Sequence, residues 1–311
     1  MARARLPAVP PAAGSPALHG NLFALVSTLL WASSFPVTEY LLLSWDPMLL
    51  CLGRLAVAAA FLALLGLVSG RGGEFRRAPW GDVVFLGAVG VAAPVFLTVL
   101  GQSRSDAVTV AIISTALPLI AAIMGWVLDG QRPRPSVLVG IVLALAGGGL
   151  AALDGVHGPA GLRGGEVLVL GSMTLWIWYS RAAMVRLRGR SDLAISTLTF
   201  VAGTAMVAAV LVVALPLGLA QPRLDLRPTG LTALLWLGSM AIGLSVLLWF
   251  AGARRLGLTV AAIHTNLAPF YVMLMALAAG GSVSGGQLTG AMLVAGGALL
   301  AQLNARTRPA A

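Results

Sequence analysis

The chain has 311 residues, of which 59% are hydrophobic and 10% are charged, and its mean hydropathy is +0.94. Soluble domains carry roughly 25% charged residues because their surface faces water, so the composition excludes a cytosolic enzyme, a secreted disulfide scaffold and a disordered tail protein. The net charge is +10, and all 20 basic residues are arginine. They form short clusters between apolar stretches and do not line up with aromatic residues, as a nucleic-acid groove requires. The sequence therefore predicts an integral membrane protein that contacts the lipid bilayer and binds no nucleic acid.

Apolar segments close to the length that a membrane-spanning helix needs, about 20 residues, follow one another along the chain. They lie near 20–39, 47–68, 81–101, 107–128, 136–153, 165–184, 193–216, 229–251, 258–280 and 286–304. Residues 1–19 are rich in proline and alanine and lack the apolar core of a signal peptide, so we expect a disordered cytoplasmic segment there. We expect residues 305–311 to form a cytoplasmic tail. No segment alternates with the period of two that barrel strands need, and the predicted fold is an all-α integral membrane protein with ten transmembrane helices.

The arginines are divided unequally between the two predicted sides of the membrane. Ten spans put both termini on one side, where the segments hold 15 arginines, against four on the other side and Arg54 within a span. Cytoplasmic loops carry the excess of positive charge. We therefore expect a multi-pass protein of the bacterial inner (plasma) membrane with both termini in the cytoplasm.

The second half of the chain repeats the first at a nearly constant offset. A shift of 145 residues places the first span on the sixth and Trp31 on Trp176, and a shift of 151 residues places the third and fourth spans on the eighth and ninth. Each half has an odd number of spans, so the halves cross the membrane in opposite directions. We predict two inverted five-helix repeats, 20–155 and 164–304, an arrangement in which carriers bind substrate at the repeat interface and use alternating access. A duplicated scaffold without a transport role is the alternative.

Several short motifs of the first two predicted helices carry a resemblance to a known family. The stretch from Trp31 to Phe35 is Trp-Ala-Ser-Ser-Phe, and Asp46-Pro47 is followed by Arg54. These stretches resemble the signatures of the first and second helices of EamA-type carriers of the drug/metabolite transporter superfamily. The module from Gly101 to Leu153 recurs from Gly252 to Leu303. The resemblance implies a secondary transporter of small organic metabolites, an exporter of amino acids or related compounds. One departure is that Asp-Gly and Gly-Gly stand after the fourth and ninth helices, where the family has Gly-Glu.

Polar and aromatic residues share one face of the first span and of its counterpart, the sixth. Polar groups inside a membrane are costly and are candidates for a functional role, although hydroxyls also permit close helix packing. The residues on these faces are Ser27, Trp31, Ser34 and Thr38, and Ser172, Trp176 and Tyr179 with Trp178 beside them. We predict that Trp31, Ser34, Thr38, Trp178 and Tyr179 line a substrate cavity.

The fourth and ninth spans carry polar residues just before a central proline. Proline removes a backbone donor and frees a carbonyl, and broken helices in matching positions of two halves point to a carrier's binding site. The polar residues are Ser114 and Thr115 before Pro118, and His264, Thr265 and Asn266 before Pro269. We predict that they bind substrate and that the prolines act in gating or structure, with simple kinks as the alternative. Whether His264 or Glu39 carries a proton is left open.

Further polar positions occur in the third span, where Pro94, Thr98 and Gln102 share a face. In the eighth span, Ser245 and Trp249 are the counterparts of Pro94 and Thr98. Thr98 is included in the predicted binding site. Arg54 is expected to neutralise Glu39 or an outer carboxylate such as Asp46. Glycines on the fifth and tenth spans permit close backbone approach and are interpreted as packing faces that also leave a homodimer contact open.

The chemistry of an enzyme has little support in the sequence. There is no His-Glu-x-x-His motif, phosphate-binding glycine loop or cluster of metal-spaced carboxylates, and we predict no cofactor and no metal. A membrane-embedded enzyme acting on a lipid or lipid-linked substrate is the competing class, and a channel, which would need rings of like polar residues, is less well supported.

Overall fold

The computed structural model describes residues 15–76, 78–130, 135–154 and 164–303, and the regular structure of these residues is helical, with no strand among them. We label the long helices α1 to α10 in chain order and treat segments separated by a short break as one helix. Their bounds are α1 Ser15–Ala32 and Ser34–Leu42, α2 Pro47–Val68, α3 Trp80–Gln102, α4 Ala107–Ser114 and Leu117–Asp129, α5 Pro135–Leu153, α6 Gly165–Arg186, α7 Asp192–Ala214, α8 Pro228–Leu256, α9 Leu258–Ile263, His264–Leu267 and Ala268–Ala278, and α10 Gly285–Leu303. A helical turn, Gly73–Arg76, lies between α2 and α3.

Seven helices of the described chain are long and apolar enough to cross a membrane, namely α1 to α4 and α7 to α9. The prediction of an all-α membrane protein thus holds for the described residues. The three remaining long helices, α5, α6 and α10, fall outside this set, so the count of ten transmembrane helices stays a prediction. Helix α1 already begins at Ser15, within the predicted disordered segment. Residues 1–14, the predicted tail 305–311 and most of the segment between the repeats lie outside the described residues.

Side-chain caps fix where several helices begin. Asp46 accepts hydrogen bonds from the backbone N–H groups of Met48 and Leu49 at 2.9 and 3.3 Å. Asp106 caps α4 through the N–H of Thr109 at 2.9 Å. The first N–H groups of a helix have no partner within it, so a short acceptor side chain there stabilises the helix by about 1 kcal/mol.

Proline residues account for the breaks inside α1, α4 and α9. Helix α1 is interrupted at Ser33, shortly before Pro36, and α4 is interrupted before Pro118. In α9 a 3-10 turn over His264–Leu267 precedes Pro269. Proline cannot donate to the carbonyl four residues back, and its ring clashes with the preceding turn, so the helix opens there. The two predicted interruptions at Pro118 and Pro269 are both present.

Glycines hold the helix pairs together. Helices α5 and α10 contact each other more extensively than any other pair in the described chain, and they run antiparallel, because Gly147 meets Gly290 while Gly140 meets Gly297. A Cβ atom on Gly290 would lie 2.4 Å from the carbonyl oxygen of Gly147. The predicted small-residue faces therefore pack against each other within the chain, as close backbone approach requires.

Helix α1 packs against α8 and α6 packs against α3, and the same contacts recur in both pairs. A Cβ on Gly252 would lie 3.3 Å from the carbonyl oxygen of Gly20, and a Cβ on Gly101 would lie 2.8 Å from that of Gly165. The two contacts correspond under the offsets of 145 and 151 found in the sequence. Both pairs are antiparallel, and together they surround the cavity described next.

Candidate functional site

A cavity lies among the helices and is lined by residues from both halves of the chain. It is contained in the described residues of α1 to α4 and α6 to α9. The lining consists of Ser27, Thr28, Trp31, Arg54, Val91, Pro94, Val95, Thr98 and Leu117 from the first half, and Ser172, Met173, Trp176, Phe200, Ile242, Ser245, Val246, Trp249 and Thr265 from the second.

The two halves contribute equivalent positions to the lining. The residues from α1 and α6 differ by 145 in number, and those from α3 and α8 differ by 151, the same offsets that align the sequence halves. The equivalent pairs are Ser27 and Ser172, Thr28 and Met173, Trp31 and Trp176, Val91 and Ile242, Pro94 and Ser245, Val95 and Val246, and Thr98 and Trp249. The two halves therefore line the cavity with the same positions of the repeat.

A serine contact joins the helices of each pair at the cavity wall. Ser27 donates its hydroxyl to the carbonyl of Ser245 at 2.8 Å, and Ser172 donates its hydroxyl to the carbonyl of Pro94, also at 2.8 Å. In the second pair the hydroxyl of Thr98 lies 2.6 Å from that of Ser172. These hydroxyls satisfy each other and the backbone, and they fix the separation of the helices that form the wall.

The helices α3 and α8 each contain a π-helical segment next to the cavity. The segments are Leu86–Ala92 and Leu237–Leu244, and they correspond under the 151-residue offset. Each carries a lining residue, Val91 in the first and Ile242 in the second. A π-helical turn is rare and frequently occurs at a functional site, and here it widens both helices where they border the cavity.

Charge and aromatic rings are distributed unequally between the two halves of the lining, whereas hydroxyls are not. Each half contributes three hydroxyl side chains, but the one charged lining residue, Arg54, comes from the first half, and three of the four aromatic residues, Trp176, Phe200 and Trp249, come from the second. The lining therefore combines a single cation with hydroxyls and several aromatic rings.

The structure places only part of the predicted site at this cavity. Trp31, Thr98 and Thr265 belong to its lining. Ser34 is buried in α1 beyond the break, outside the lining. Thr38 is also outside the lining, although its hydroxyl accepts a hydrogen bond from Arg54 at 3.5 Å. The roles of these residues in substrate binding stay predictions.

The aromatic residues predicted on α6 pack outside the cavity. Trp178 makes an edge contact with Phe85, with ring centroids 5.6 Å apart. Tyr179 is fully buried, and its hydroxyl lies 2.7 Å from that of Thr199. The adjacent Trp176 lines the cavity instead. Positions 176 and 178 lie about 200° apart around a helix with 3.6 residues per turn, so Trp178 points away from the side that Trp176 presents to the cavity. Tyr179 lies on the same side as Trp176 and packs against its ring, with centroids 5.3 Å apart, but it is fully buried.

The polar residues near the two prolines are largely satisfied within their own helices. Ser114 and Thr115 donate to the carbonyls of Ala111 and Ile112, both at 2.6 Å. Thr265 donates to the carbonyl of Ala262 at 2.6 Å, although it also borders the cavity.

The two neighbours of Thr265 behave differently. The Nδ1 of His264 lies 3.3 Å from the carbonyl oxygen of Ala261. The Oδ1 of Asn266 is buried without a hydrogen-bond partner among the described residues. Neither His264 nor Asn266, nor Pro118 or Pro269, belongs to the lining, and their predicted roles are untested.

Sequence reasoning missed the site of Arg54. Of the two carboxylates expected near Arg54, Glu39 forms no ion pair with it among the described residues, and Asp46 caps α2 and also accepts from the N–H of Gln221 at 3.0 Å. Arg54 lines the cavity instead. The sequence did contain a sign of this role, because Arg54 is a charged residue well inside a predicted span. It lies one turn before Ala58 on the buried face of α2. The sequence analysis also missed three other lining residues, Thr28, Met173 and Phe200. Once Thr28 is known to line the cavity, the repeat offset of 145 leads to Met173.

Charged groups at one end of the bundle come from the segments with the arginine excess. Arg186 pairs with Asp82 at 2.7 Å, and Arg254 pairs with Asp192. The carboxylate of Glu74 accepts from the N–H and the hydroxyl of Ser191 at 3.0 and 2.9 Å, and these hydrogen bonds hold the pKa of Glu74 below its usual range.

At the opposite end, Arg227 donates two hydrogen bonds to Asp225, at 2.9 and 2.8 Å, and lowers the pKa of that carboxyl to about 2. The described residues bring together no group of three His, Cys, Asp or Glu side chains that could hold a metal ion.

The chain is similar to several bacterial transporters. It is 27% identical over 223 residues to the uncharacterized transporter YwfM of Bacillus subtilis, covering 71% of this chain and 72% of that protein. It is 23% identical to the uncharacterized transporter YyaM of the same organism, over 91% of this chain and 94% of the relative. A probable terminal-alkyne amino-acid exporter of Streptantibioticus cattleyicolor is 29% identical over 45% of this chain and 47% of its own length.

A solved structure described as the crystal structure of a protein has the same fold. Its TM-score is 0.71 at 22% identity, over 93% of this chain and 99% of that one. The model of the EamA-like transporter family matches residues 18–152 and again residues 163–303. Since the two matches follow the two halves and cover most of the sequence, the chain belongs to the EamA-like transporter family.

Proposed function

We propose that the protein is a secondary transporter of the bacterial inner membrane that exports amino acids or related small organic compounds, and that it is not an enzyme. The observation that carries the proposal is the cavity lined by equivalent positions of the two halves. A site on the axis between two repeats can be exposed to either side of the membrane by rocking one repeat against the other. The name of the relative from Streptantibioticus cattleyicolor supports amino acids as the substrate class.

In this proposal ten transmembrane helices form two inverted five-helix repeats with both termini in the cytoplasm. The antiparallel course of α5 and α10 supports the inversion, because these helices are equivalent in the repeat and equivalent helices of an inverted repeat run in opposite directions. The ion pairs Arg186–Asp82 and Arg254–Asp192 support the assignment of these segments to one side of the membrane, and the arginine excess of that side supports its assignment to the cytoplasm. The breaks in α4 and α9 would give the repeats places to bend.

The test is flux in liposomes that contain the purified protein. A panel of radiolabelled amino acids and related metabolites is loaded inside, and the release of each is compared with that from protein-free liposomes. We expect protein-dependent release of at least one compound in chemically unchanged form. Chemical conversion of a solute or lipid without movement of any solute would favour the membrane-embedded enzyme.

A matched pair of variants controls for folding. Ser27→Ala removes a contact that joins α1 to α8 at the cavity, whereas Ser69→Ala changes an exposed serine that bonds only the carbonyl of Leu65 on its own helix. We expect the first variant to change flux and the second to leave it unchanged at equal abundance in the membrane.

A further inference from the structure

Arg54 is a buried cation in the cavity wall whose hydrogen-bonding capacity is mostly unused. The residue is 5% exposed, and its Nε has no hydrogen-bond partner among the described residues. One bond from Nη1 reaches the hydroxyl of Thr38 at 3.5 Å, the outer limit for such a bond. A guanidinium has five N–H donors, and a buried charge without a partner costs far more than one that is paired and hydrogen-bonded.

The acidic residues that the structure describes do not supply the missing partner. Asp46, on the same helix, uses both carboxylate oxygens for backbone N–H groups, those of Met48 and Leu49 on one and that of Gln221 on the other. In the described part of the chain no ion pair joins Arg54 to a carboxylate. The lining of the cavity contains no Asp or Glu, so the free donors face a space that offers Arg54 no anion.

The rest of the cavity favours an apolar group. The indole rings of Trp31, Trp176 and Trp249 line it together with Phe200. The indole N–H of Trp249 is already satisfied by the hydroxyl of Ser180 at 3.0 Å, so this ring offers the cavity its apolar surface. Aromatic rings contribute large contact areas to ligands.

We propose that Arg54 binds the carboxylate of the substrate and that the substrate is an organic carboxylate with an apolar or aromatic group. The inference rests on the proposed function, since it takes the cavity as the substrate site. A carboxylate presents two oxygens in a plane and matches two N–H groups of a guanidinium. A substrate amine finds only hydroxyls and backbone carbonyls in the cavity, because the lining has no acidic side chain, so the carboxylate decides which compounds bind.

Calorimetric titration of the full chain in lipid nanodiscs tests the inference with four probes that share a phenyl ring. Phenylalanine and phenylpropionate carry a carboxylate, whereas phenylalaninamide and phenethylamine do not. We expect both carboxylates to bind roughly ten- to a hundredfold more tightly than the other two, the range for a hydrogen-bonded charge. Equal affinities, the reverse preference, or binding by none of the four would overturn the proposal.

Variants assign the preference to this side chain. Arg54→Gln should abolish it and leave the affinity for the amide unchanged, and Arg54→Lys should keep part of it, since an ammonium provides charge without the planar pair of donors. Arg104→Gln, at an exposed position, is the matched control. If Arg54→Gln is not recovered folded, the wild-type and Arg54→Lys titrations decide the question. A preference that survives in Arg54→Gln refutes the assignment.

Flux measurements separate this inference from the proposed function. Liposomes loaded with radiolabelled phenylalanine or phenylalaninamide are compared. Binding that prefers carboxylates, without movement of any solute in these liposomes or in the wider panel, would refute transport and leave the anion site standing. Flux that treats acid and amide alike would refute the anion site and leave transport standing.

Discussion

Replacing Gly290 with alanine should separate helices α5 and α10. The added Cβ would lie 2.4 Å from the carbonyl oxygen of Gly147 and 3.1 Å from the Cβ of Ala151. Ordinary contacts of a Cβ are 3.4 Å or longer, so the helices must move apart by about 1 Å against a backbone atom that cannot rotate away. Overpacking of this kind costs about 1–3 kcal/mol, and the gain in helix propensity from alanine, up to about 1 kcal/mol, offsets only part of it.

Gly296→Ala is the matched control, because Gly296 lies on the same helix and a Cβ there would meet nothing within 4 Å. Thermal unfolding of both variants in detergent is followed by the amount of monodisperse protein that remains after heating. We expect a lower unfolding midpoint for Gly290→Ala and an unchanged or higher midpoint for Gly296→Ala. If the two variants unfold at the same temperature as the wild type, the close glycine contact does not hold the helices together and the packing described for this pair is wrong.

Three further predictions concern the cavity, the orientation and the response to pH. Trp249→Phe should weaken binding of the cavity's ligand about three- to tenfold, because it removes part of an indole from the cavity wall, whereas Trp126→Phe, at an exposed tryptophan, should not. Titration with the strongest-binding probe measures both variants, and equal affinities would contradict a contact between Trp249 and the ligand. Cysteine placed by Arg188→Cys should react in intact cells only with a membrane-permeant reagent, whereas Arg223→Cys should also react with an impermeant one; the reverse pattern would invert the topology. The hydrogen bonds from Ser191 lower the pKa of Glu74, so its ionised form stabilises the fold above the ordinary glutamate pKa of about 4.3, and this contribution is lost as the pH falls through the lowered folded value. Glu74→Gln should therefore lose less thermal stability than the wild type between pH 6 and pH 3, and parallel losses would contradict the role of Glu74.

The limits of the helices could be predicted closely from the sequence. Apolar runs bounded by arginines, glycines and prolines have a local physical cause, since a helix in a bilayer must satisfy its own backbone and present apolar side chains to lipid. The interruptions before Pro118 and Pro269 are local for the same reason, as a missing N–H acts within one turn. The two-fold repetition could also be detected in the sequence, and it paired Trp176 with Trp31, although the predicted cavity residues on that helix were Trp178 and Tyr179.

Which side of each helix faces the cavity, the other helices or the lipid was decided only by tertiary packing. The helices are apolar on nearly all sides, so composition cannot distinguish a lipid-facing surface from a buried one, and Tyr179 and Trp178 were placed in the wall that Trp176 forms. Arg54 was expected to neutralise Glu39 or an outer carboxylate such as Asp46, and only the fold showed that Asp46 is used by backbone N–H groups and that the guanidinium lines the cavity. The π-helical turns in α3 and α8 likewise depend on contacts between distant segments, since nothing local in the sequence around Ile242 distinguishes that turn from an α-helix.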